Sequence, residues 1–169
     1  RAASSRANST TTSAANAELV KNLGADVVID YRTQDFEQLL SEYDLVLNSQ
    51  DAKTLAKSVN VLKPGGKLIS ISGPPDVPFA KSLKLNLFFR FVMRMLSRGI
   101  LKKAKSRGVD YSFLFMRAEG QQLREIARLI DAGAIRPVVD KVFPFLQTPD
   151  ALAYVETGRA KGKVVVAVS

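Results

Sequence analysis

The sequence of 169 residues contains no cysteine and no histidine. Without thiol and imidazole groups the chain has no thiol nucleophile and no disulfide, and it lacks the side chains on which transition-metal sites mainly rely. We therefore expect no metal site within these residues. The first residues, RAASSRANSTTTSAAN, contain no apolar core and do not resemble a secretory signal, so we expect a cytoplasmic location.

Acidic residues are absent from one long segment. Residues 81–107 contain nine Lys or Arg and no Asp or Glu, so this segment accounts for the whole net charge of +9. Arg90, Arg94 and Arg98 recur at a spacing of four, on one face of a predicted amphipathic helix. These arginines argue against a membrane-spanning helix, and binding to a membrane surface is the alternative to packing on the domain or on a partner subunit. We expect packing, with no nucleic-acid binding and no stable membrane insertion.

The content of 46% apolar and 24% charged residues is typical of a globular domain with a core. Helical patterns alternate with short segments rich in β-branched or aromatic residues. The predicted strands include VVID at 27–30, YDLVLNS at 43–49, KLISIS at 67–72 and YSFLFM at 111–116. A predicted helix from Thr54 to Leu62 is stopped by Pro64, and Gly65 and Gly66 permit a sharp turn into KLISIS. This alternation is typical of βαβ units with a parallel sheet.

Several phrases, in a fixed order, carry a family resemblance. They are LGADVVIDYR, YDLVLNS, VLKPGGKLISISG, YSFLFM, LIDAGAIRPVVDKVFPF, DALAYVETG and GKVVV. Together they resemble the C-terminal part of a medium-chain dehydrogenase/reductase of the zinc-independent quinone oxidoreductase type, in the reticulon-4-interacting-like branch. The resemblance implies an α/β fold with a partial Rossmann doubly wound parallel sheet, whose first strand and Gly-rich turn are absent. It also implies C-terminal strands that return to a GroES-like catalytic domain, which is missing.

The resemblance divides the chain into three parts. Residues 1–9 are expected to be a disordered tail or a cloning remnant, residues 10–134 the partial nucleotide-binding domain, and residues 135–169 a segment of the catalytic domain. Without the central first strand, the hydrogen-bonding edges on either side of the gap are exposed. We therefore expect the isolated chain to oligomerise, swap domains or dissolve poorly, and we expect a homo-oligomer.

The segment after the second Rossmann strand indicates the cofactor. An acid at this place accepts the 2′-hydroxyl of NAD, whereas hydroxyls and cations accept the 2′-phosphate of NADP. No acid occurs in this segment before Glu18, so NADPH is the expected cofactor. By resemblance Ser13 binds the phosphate and Tyr31 contacts it, although Ser13 also fits a helix N-cap and Tyr31 a strand-end side chain. Asn16 departs from the family, in which several quinone reductases carry a lysine.

Further cofactor contacts are expected at the carboxyl ends of the later strands, where open parallel sheets bind ligands. By resemblance these contacts come from six residues: Asn48, Ser49, Gly73, Pro74, Phe113 and Phe115. Core filling is the alternative role of the phenylalanines. No side chain stands out as a general acid or base, so we predict no catalytic residue.

The resemblance implies an NADPH-dependent oxidoreductase that transfers hydride to a small-molecule substrate, a quinone or an α,β-unsaturated carbonyl compound. This chain would be its cofactor-domain fragment. Two alternatives are kept. One is a catalytically inactive nucleotide-binding or dimerisation module. The other is a methyltransferase that uses S-adenosylmethionine, because LKPGG before a buried strand also occurs in that class.

Overall fold

Parallel strands alternate with helices throughout the computed structural model, which describes residues 7–168. The chain divides after Met116 into two compact units. In the first unit the strands are β1 Ser9–Thr12, β2 Val27–Asp30, β3 Tyr43–Asn48, β4 Leu62–Ser70 and β5 Asp110–Phe113. Its helices are α1 Ala17–Asn22, α2 Phe36–Leu39, α3 Ala52–Ser58, α4 Val77–Ser82 and α5 Leu87–Ser106, and a 3₁₀ turn at Ala14–Asn16 precedes α1. The predicted α/β class with parallel strands is confirmed.

The ordered structure begins earlier than the sequence predicts. β1 starts at Ser9, inside the segment predicted to be a tail, while residues 1–6 lie outside the described residues. The amides of Asp26 and Val27 donate to the Asn8 carbonyl at 2.9 and 3.2 Å, so pairing beside β2 orders this stretch. Thr10, Thr11 and Thr12 favour a strand, whereas Asn8 does not, so pairing with β2 is what orders the start of this stretch.

The strands of the first unit form two separate sheets. β1 pairs in parallel with β2, while β3, β4 and β5 form a second parallel sheet in that order. Within residues 7–168, β1 pairs with no strand other than β2, and β3 pairs with none other than β4. These are the two open edges that the sequence predicts on either side of an absent central strand. The doubly wound sheet is therefore interrupted between β1 and β3.

The main core lies on one face of the three-stranded sheet, beneath α3 and α5. Its buried side chains are Leu55, Val59, Leu62, Leu68, Ile100, Ala104, Val109 and Tyr111. The opposite face of β3 is open, because Leu45 and Leu47 are 54% and 64% exposed. Full burial of a leucine side chain stabilises a protein by roughly 1.5–3 kcal/mol. These two leucines therefore contribute only part of that amount.

The acid-free segment forms α5, as its periodicity predicts. Ser97, Ile100 and Ala104 in its second half are buried against the first unit. Its first half leaves large apolar side chains in solvent, including Leu87 and Phe88 at 80% and 68% exposure. The fully buried side chains of α5 thus all lie in its second half. Across the described residues, no helix has the length and apolar character required to cross a bilayer.

The Pro-Gly-Gly turn lies inside β4 and does not end a helix. α3 ends at Ser58, whereas β4 already starts at Leu62, ahead of Pro64. The predicted helix is therefore too long, and the predicted strand starts too late. The register between β3 and β4 shifts in this region. Gly65 has a φ of 81° and donates its amide to the Gly108 carbonyl at 2.8 Å, so the conformation does require glycine.

The second unit contains α6 Gly120–Asp131, β6 Val139–Pro144, α7 Thr148–Glu156 and β7 Lys163–Ala167, with a 3₁₀ turn at Phe145–Gln147. β6 and β7 pair in parallel, and Phe143 is buried. The Tyr154 phenol donates to the Asp140 carboxylate at 2.7 Å, and this hydrogen bond raises the pKa of Tyr154. The boundary predicted near Ala134 falls inside this unit, and the assignment of residues 135–169 to a catalytic domain stays a prediction.

Candidate functional site

Two predicted cofactor residues, Ser13 and Tyr31, directly follow neighbouring strands. β1 and β2 are in parallel register with Thr12 opposite Asp30, so their carboxyl ends meet at one edge. Ser13 precedes the 3₁₀ turn with an extended backbone, but its side chain makes no capping hydrogen bond. Tyr31 is 59% exposed. The N-cap role is therefore not filled by the Ser13 hydroxyl, and both hydroxyl groups are available to a ligand.

Two further polar groups near this edge were not predicted as ligand contacts. The side-chain oxygen of Asn16 is buried and has no hydrogen-bond partner among the described residues. The Asn16 amide donates to the Ser13 carbonyl at 2.9 Å, which keeps the two residues together. The Arg32 guanidinium carbon lies 5.9 Å from the centre of the Tyr31 ring. Buried polar atoms are normally paired, so the Asn16 oxygen is an exception at this edge. Tyr31 and Arg32 directly follow a predicted strand, and this sequence signal could have identified Arg32 as a ligand contact.

The carboxylate closest in sequence to this edge is used by the turn itself. Asp30 closes β2, and its carboxylate accepts the Arg32 backbone N–H at 3.0 Å. After β1 no acid occurs before Glu18. One oxygen of the Asp30 carboxylate is thus used by the turn, and the hydroxyls and the arginine at this edge suit a phosphate.

Asn48 closes β3 and is 3% exposed. Its side-chain oxygen accepts from the hydroxyls of Ser70 and Ser72 at 3.3 and 3.4 Å. β4 ends at Ser70 and does not continue to residue 72 as predicted. The Asn48 side chain therefore ties the ends of β3 and β4 together. Ser49, the next residue, is exposed.

Gly73 and Pro74 lie in the turn after β4, which the protein holds with its own hydrogen bonds. The Gly73 amide donates to the Ser70 hydroxyl at 2.8 Å, and the Tyr111 phenol donates to the Pro74 carbonyl at 2.7 Å. Burial, with the charge of Asp76 as the second cause, raises the pKa of Tyr111 to about 12. A Cβ on Gly73 would lie 2.7 Å from the Ser70 hydroxyl and 2.9 Å from that of Tyr111. Internal packing alone therefore requires glycine at this position.

Phe113 and Phe115 form an aromatic cluster with Phe79 of α4. The ring centre of Phe79 lies 5.0 Å from that of Phe113 and 5.6 Å from that of Phe115. The Asp76 carboxylate accepts the amides of Phe79 and Phe113 at 2.8 and 3.0 Å, which fixes α4 against β5. Phe113 is partly buried in this cluster, whereas Phe115 is 58% exposed. β5 ends at Phe113, three residues before the predicted end, so Phe115 lies in the following loop.

A cavity of about 430 Å³ lies between the two sheets. Its walls are formed by residues 7–11 around β1, residues 45–50 along and after β3, and side chains of α2 and α3. No charged side chain of the described residues lines it. Asn48 and Ser49 border the cavity, but the other predicted contact residues do not. The predicted residues thus lie in two groups, Ser13 with Tyr31 and the remaining six at the ends of β3, β4 and β5.

Solved dehydrogenase structures share this arrangement of parallel strands and helices. The quinone oxidoreductase of Coxiella burnetii matches with a TM-score of 0.71 at 21% identity, over 96% of this chain and 45% of that chain. An NAD-dependent alcohol dehydrogenase matches with a TM-score of 0.69 at 20% identity, over 95% of this chain and 43% of that one. At these identities the likeness concerns the fold. The fold is that of the cofactor-binding sheet of medium-chain dehydrogenases/reductases.

A family model described as zinc-binding dehydrogenase matches residues 23–166. The chain therefore belongs to the zinc-binding dehydrogenase family of medium-chain dehydrogenases/reductases, and the predicted resemblance is confirmed. NAD(P)H oxidoreductase RTN4IP1, mitochondrial, of Danio rerio is 36% identical over 96% of this chain and 43% of its own length. NADPH-dependent alkenal/one oxidoreductase, chloroplastic, of Arabidopsis thaliana is 33% identical over 92% of this chain and 32% of its own length. The chain spans less than half the length of these relatives.

The family description mentions zinc, but this chain lacks the side chains that usually bind zinc. The sequence has no cysteine or histidine, and residues 7–168 contain no group of three acidic side chains that could hold a metal ion. The residues present therefore do not fit a zinc site. The names of the two relatives refer to mitochondria and chloroplasts, so the cytoplasmic location of this protein stays a prediction.

Proposed function

We propose that this chain is the cofactor-binding part of an NADPH-dependent oxidoreductase that reduces quinones or α,β-unsaturated carbonyl compounds. The observation that carries the proposal is the group of available polar side chains after β1 and β2: Ser13, Tyr31 and Arg32. Relatives named NAD(P)H oxidoreductase and alkenal/one oxidoreductase support the reaction class. The substrate is accordingly a small molecule.

The proposed adenosine site would hold the 2′-phosphate of NADPH. The hydroxyls of Ser13 and Tyr31 would donate hydrogen bonds to it, and the Arg32 guanidinium would offset its charge. Hydrogen bonds to charged groups contribute about 1.5–3 kcal/mol each. No acid occurs between β1 and Glu18, which supports phosphate over the free hydroxyl of NADH as the group recognised here.

At the nicotinamide end of the site, the protein would act by holding the reactants in position. When bound, the nicotinamide supplies the hydride, and enzymes of this kind act largely by orienting reactants. The turn at Gly73 and Pro74 is fixed by Tyr111, so it offers a stable backbone surface at the end of β4. The exposed ring of Phe115 offers an apolar surface beyond β5. We assign no catalytic residue.

The adenosine site can be tested with ligands that carry only this half of the cofactor. We expect 2′,5′-ADP to bind more tightly than 5′-AMP in isothermal titration. Arg32→Ala should remove about tenfold or more of the 2′,5′-ADP affinity and leave the 5′-AMP affinity nearly unchanged. Arg117→Ala, a change of an exposed arginine in the second unit, is the matched control. Equal binding of both ligands, or equal losses for both in Arg32→Ala, would contradict the proposal.

An inactive nucleotide-binding or dimerisation module is the second candidate. It is favoured by the internal hydrogen bonds of Asn48, Gly73 and Pro74, which leave fewer groups for a nicotinamide. The leading proposal predicts tighter binding of NADPH than of 2′,5′-ADP in isothermal titration, because the nicotinamide half adds contacts; equal affinity of the two ligands would select the inactive module. The methyltransferase alternative has no support from the family assignment, and a thermal shift with S-adenosylmethionine would be needed to revive it.

A further inference from the structure

We propose that one face of α5 binds to the surface of an anionic phospholipid bilayer, with the helix lying in the plane of the membrane. The residues that make this contact are named the α5 face: Phe88, Phe91, Arg94, Met95, Arg98 and Lys102. The inference goes beyond the proposed function, because it concerns residues other than the proposed cofactor contacts and does not depend on cofactor binding.

The α5 face is directed away from the core of the first unit. The buried side chains of α5 are Ser97, Ile100 and Ala104. Phe88, Phe91 and Met95 recur at the same spacing, but a rotation of about 100° per residue places them on the opposite side of the helix. All three are more than half exposed. A surface helix normally presents polar side chains to solvent, so the core of the first unit does not account for this apolar side.

Cations border the apolar side chains of the α5 face. Arg94 follows Phe91 by three positions, which makes the two side chains neighbours on the helix surface. Arg98 stands in the same relation to Met95, and Lys102 follows Arg98 by one further turn. The three cations are exposed, and none of them forms an ion pair within residues 7–168. The acid-free segment therefore leaves their charge available to an anionic partner.

The combination of exposed apolar side chains and cations favours a membrane surface as the partner. Helices that lie in a membrane interface bury an aromatic or aliphatic side and keep Lys and Arg at the headgroups. Long Arg and Lys side chains can reach the headgroups while their stems cover apolar surface. Because the acid-free segment accounts for the whole net charge, an anionic surface attracts the molecule by this side. A nucleic-acid backbone would pair the cations but leave Phe88, Phe91 and Met95 in water.

A second copy of the chain is a poorer partner for the α5 face. A two-fold symmetric interface brings the same patch of both copies together. Arg94 and Arg98 of the two copies would then lie in one interface, and the acid-free segment supplies no acid to pair with them. Like charges that face each other oppose association, whereas anionic lipids supply the opposite charge.

The charges can be tested by cosedimentation of the full chain with vesicles of phosphatidylcholine that contain roughly one third phosphatidylserine. We expect saturable binding, and binding about tenfold or more weaker to phosphatidylcholine alone, because each cation near an anionic surface contributes about fivefold. Arg94→Glu combined with Arg98→Glu should lower the affinity about tenfold or more. The matched control is Arg124→Glu combined with Arg128→Glu, two exposed arginines at the same spacing in α6. It changes the net charge equally and should alter the affinity less than about threefold.

A tryptophan probe tests whether the apolar side chains enter the bilayer. The sequence contains no tryptophan, so Phe88→Trp provides a single reporter. We expect its emission to shift to shorter wavelength on anionic vesicles and to be quenched by lipids brominated in their acyl chains. Leu123→Trp, at an exposed leucine of α6, is the matched control and should show neither effect.

Failure of the chain to bind anionic vesicles overturns the proposal. So does binding that neither added salt nor the double substitution of Arg94 and Arg98 weakens; the salt series on the wild type decides even if the variant does not fold. Binding without an emission shift of Phe88→Trp also overturns it, since the cations alone would then hold the chain on any polyanion. The same holds for a shift that grows with protein concentration without vesicles, because a second copy would then cover the α5 face.

Discussion

Replacing Tyr111 with phenylalanine tests whether the turn after β4 is held by the protein itself. The Tyr111 phenol donates to the Pro74 carbonyl at 2.7 Å, and the residue is 7% exposed. Its loss removes one buried hydrogen bond and leaves the carbonyl unpaired, which lowers the free energy of unfolding by about 1–3 kcal/mol. Urea denaturation at pH 7, followed by circular dichroism, measures this change. Tyr31→Phe, at an exposed tyrosine, is the control and should stay within about 0.5 kcal/mol of the wild type.

The same variant also changes the behaviour at high pH. Burial raises the pKa of Tyr111 from 10.0 to about 12. Below pH 10 the phenol is protonated in both states, and its contribution to stability is complete. Between about pH 10 and 12 the unfolded chain loses this proton first, so stability falls by about 1.4 kcal/mol per pH unit. The advantage of the wild type over Tyr111→Phe should therefore shrink by up to about 3 kcal/mol across this range.

Other groups with raised pKa values, such as Lys57, Lys63 and Tyr154, are present in both proteins and cancel in this difference. A stability difference between wild type and Tyr111→Phe that stays constant from pH 9 to about pH 12 would refute the reasoning. It would mean that the phenol is solvated in the folded state and that the turn is not closed over it.

Three further changes test separate parts of the first unit. Gly73→Ala should lower the free energy of unfolding by about 1–3 kcal/mol, because the new Cβ meets the Ser70 hydroxyl at 2.7 Å. The control Gly99→Ala in α5 places a Cβ that meets nothing within 4 Å, and it should raise the free energy of unfolding by up to about 1 kcal/mol. Equal effects of the two variants in urea denaturation would contradict this prediction. Lys57→Met should return the lowered pKa of Asp35 toward its ordinary value in NMR titration. That variant should be less stable at neutral pH yet lose less stability as the pH falls through the pKa of the folded state, and an unmoved titration would speak against the ion pair. Asp76→Ala should cost about 1–3 kcal/mol and speed hydrogen exchange at the two amides that this carboxylate accepts, one in α4 and one in β5.

The α/β class could be predicted because it depends on local patterns. Alternation of β-branched segments with helical segments is enough to indicate parallel strands. Ser13 and Tyr31 are assigned to one phosphate by the family resemblance; the register of β1 and β2 brings the ends of their strands to one edge, and their contact with a cofactor stays a prediction. The break between β1 and β3 was also foreseeable, since the first Rossmann strand has no counterpart in the chain.

The remaining differences come from contacts between residues far apart in the sequence. Gly73 is crowded by Tyr111, which lies 38 residues later, and no local pattern indicates this neighbour. The helix expected to reach Leu62 is cut short because Leu62 pairs with Tyr43 of β3. Arg32 is different, because the Tyr-Arg pair after a strand was visible in the sequence and its positive charge could have been assigned to the phosphate.

The proposed adenosine site lies on a two-stranded sheet that shares little of the main core. Of the residues in β1 and β2, only Ile29 belongs to the buried hydrophobic set, and a two-stranded sheet is marginal by itself. Local opening of this pair should therefore require less free energy than opening of β3, β4 and β5. Any ligand at Ser13 and Tyr31 then binds only the closed fraction of molecules, and its apparent affinity falls in proportion to that fraction. Cofactor affinity in this chain would thus report the folding equilibrium of one small sheet as well as the strength of the contacts.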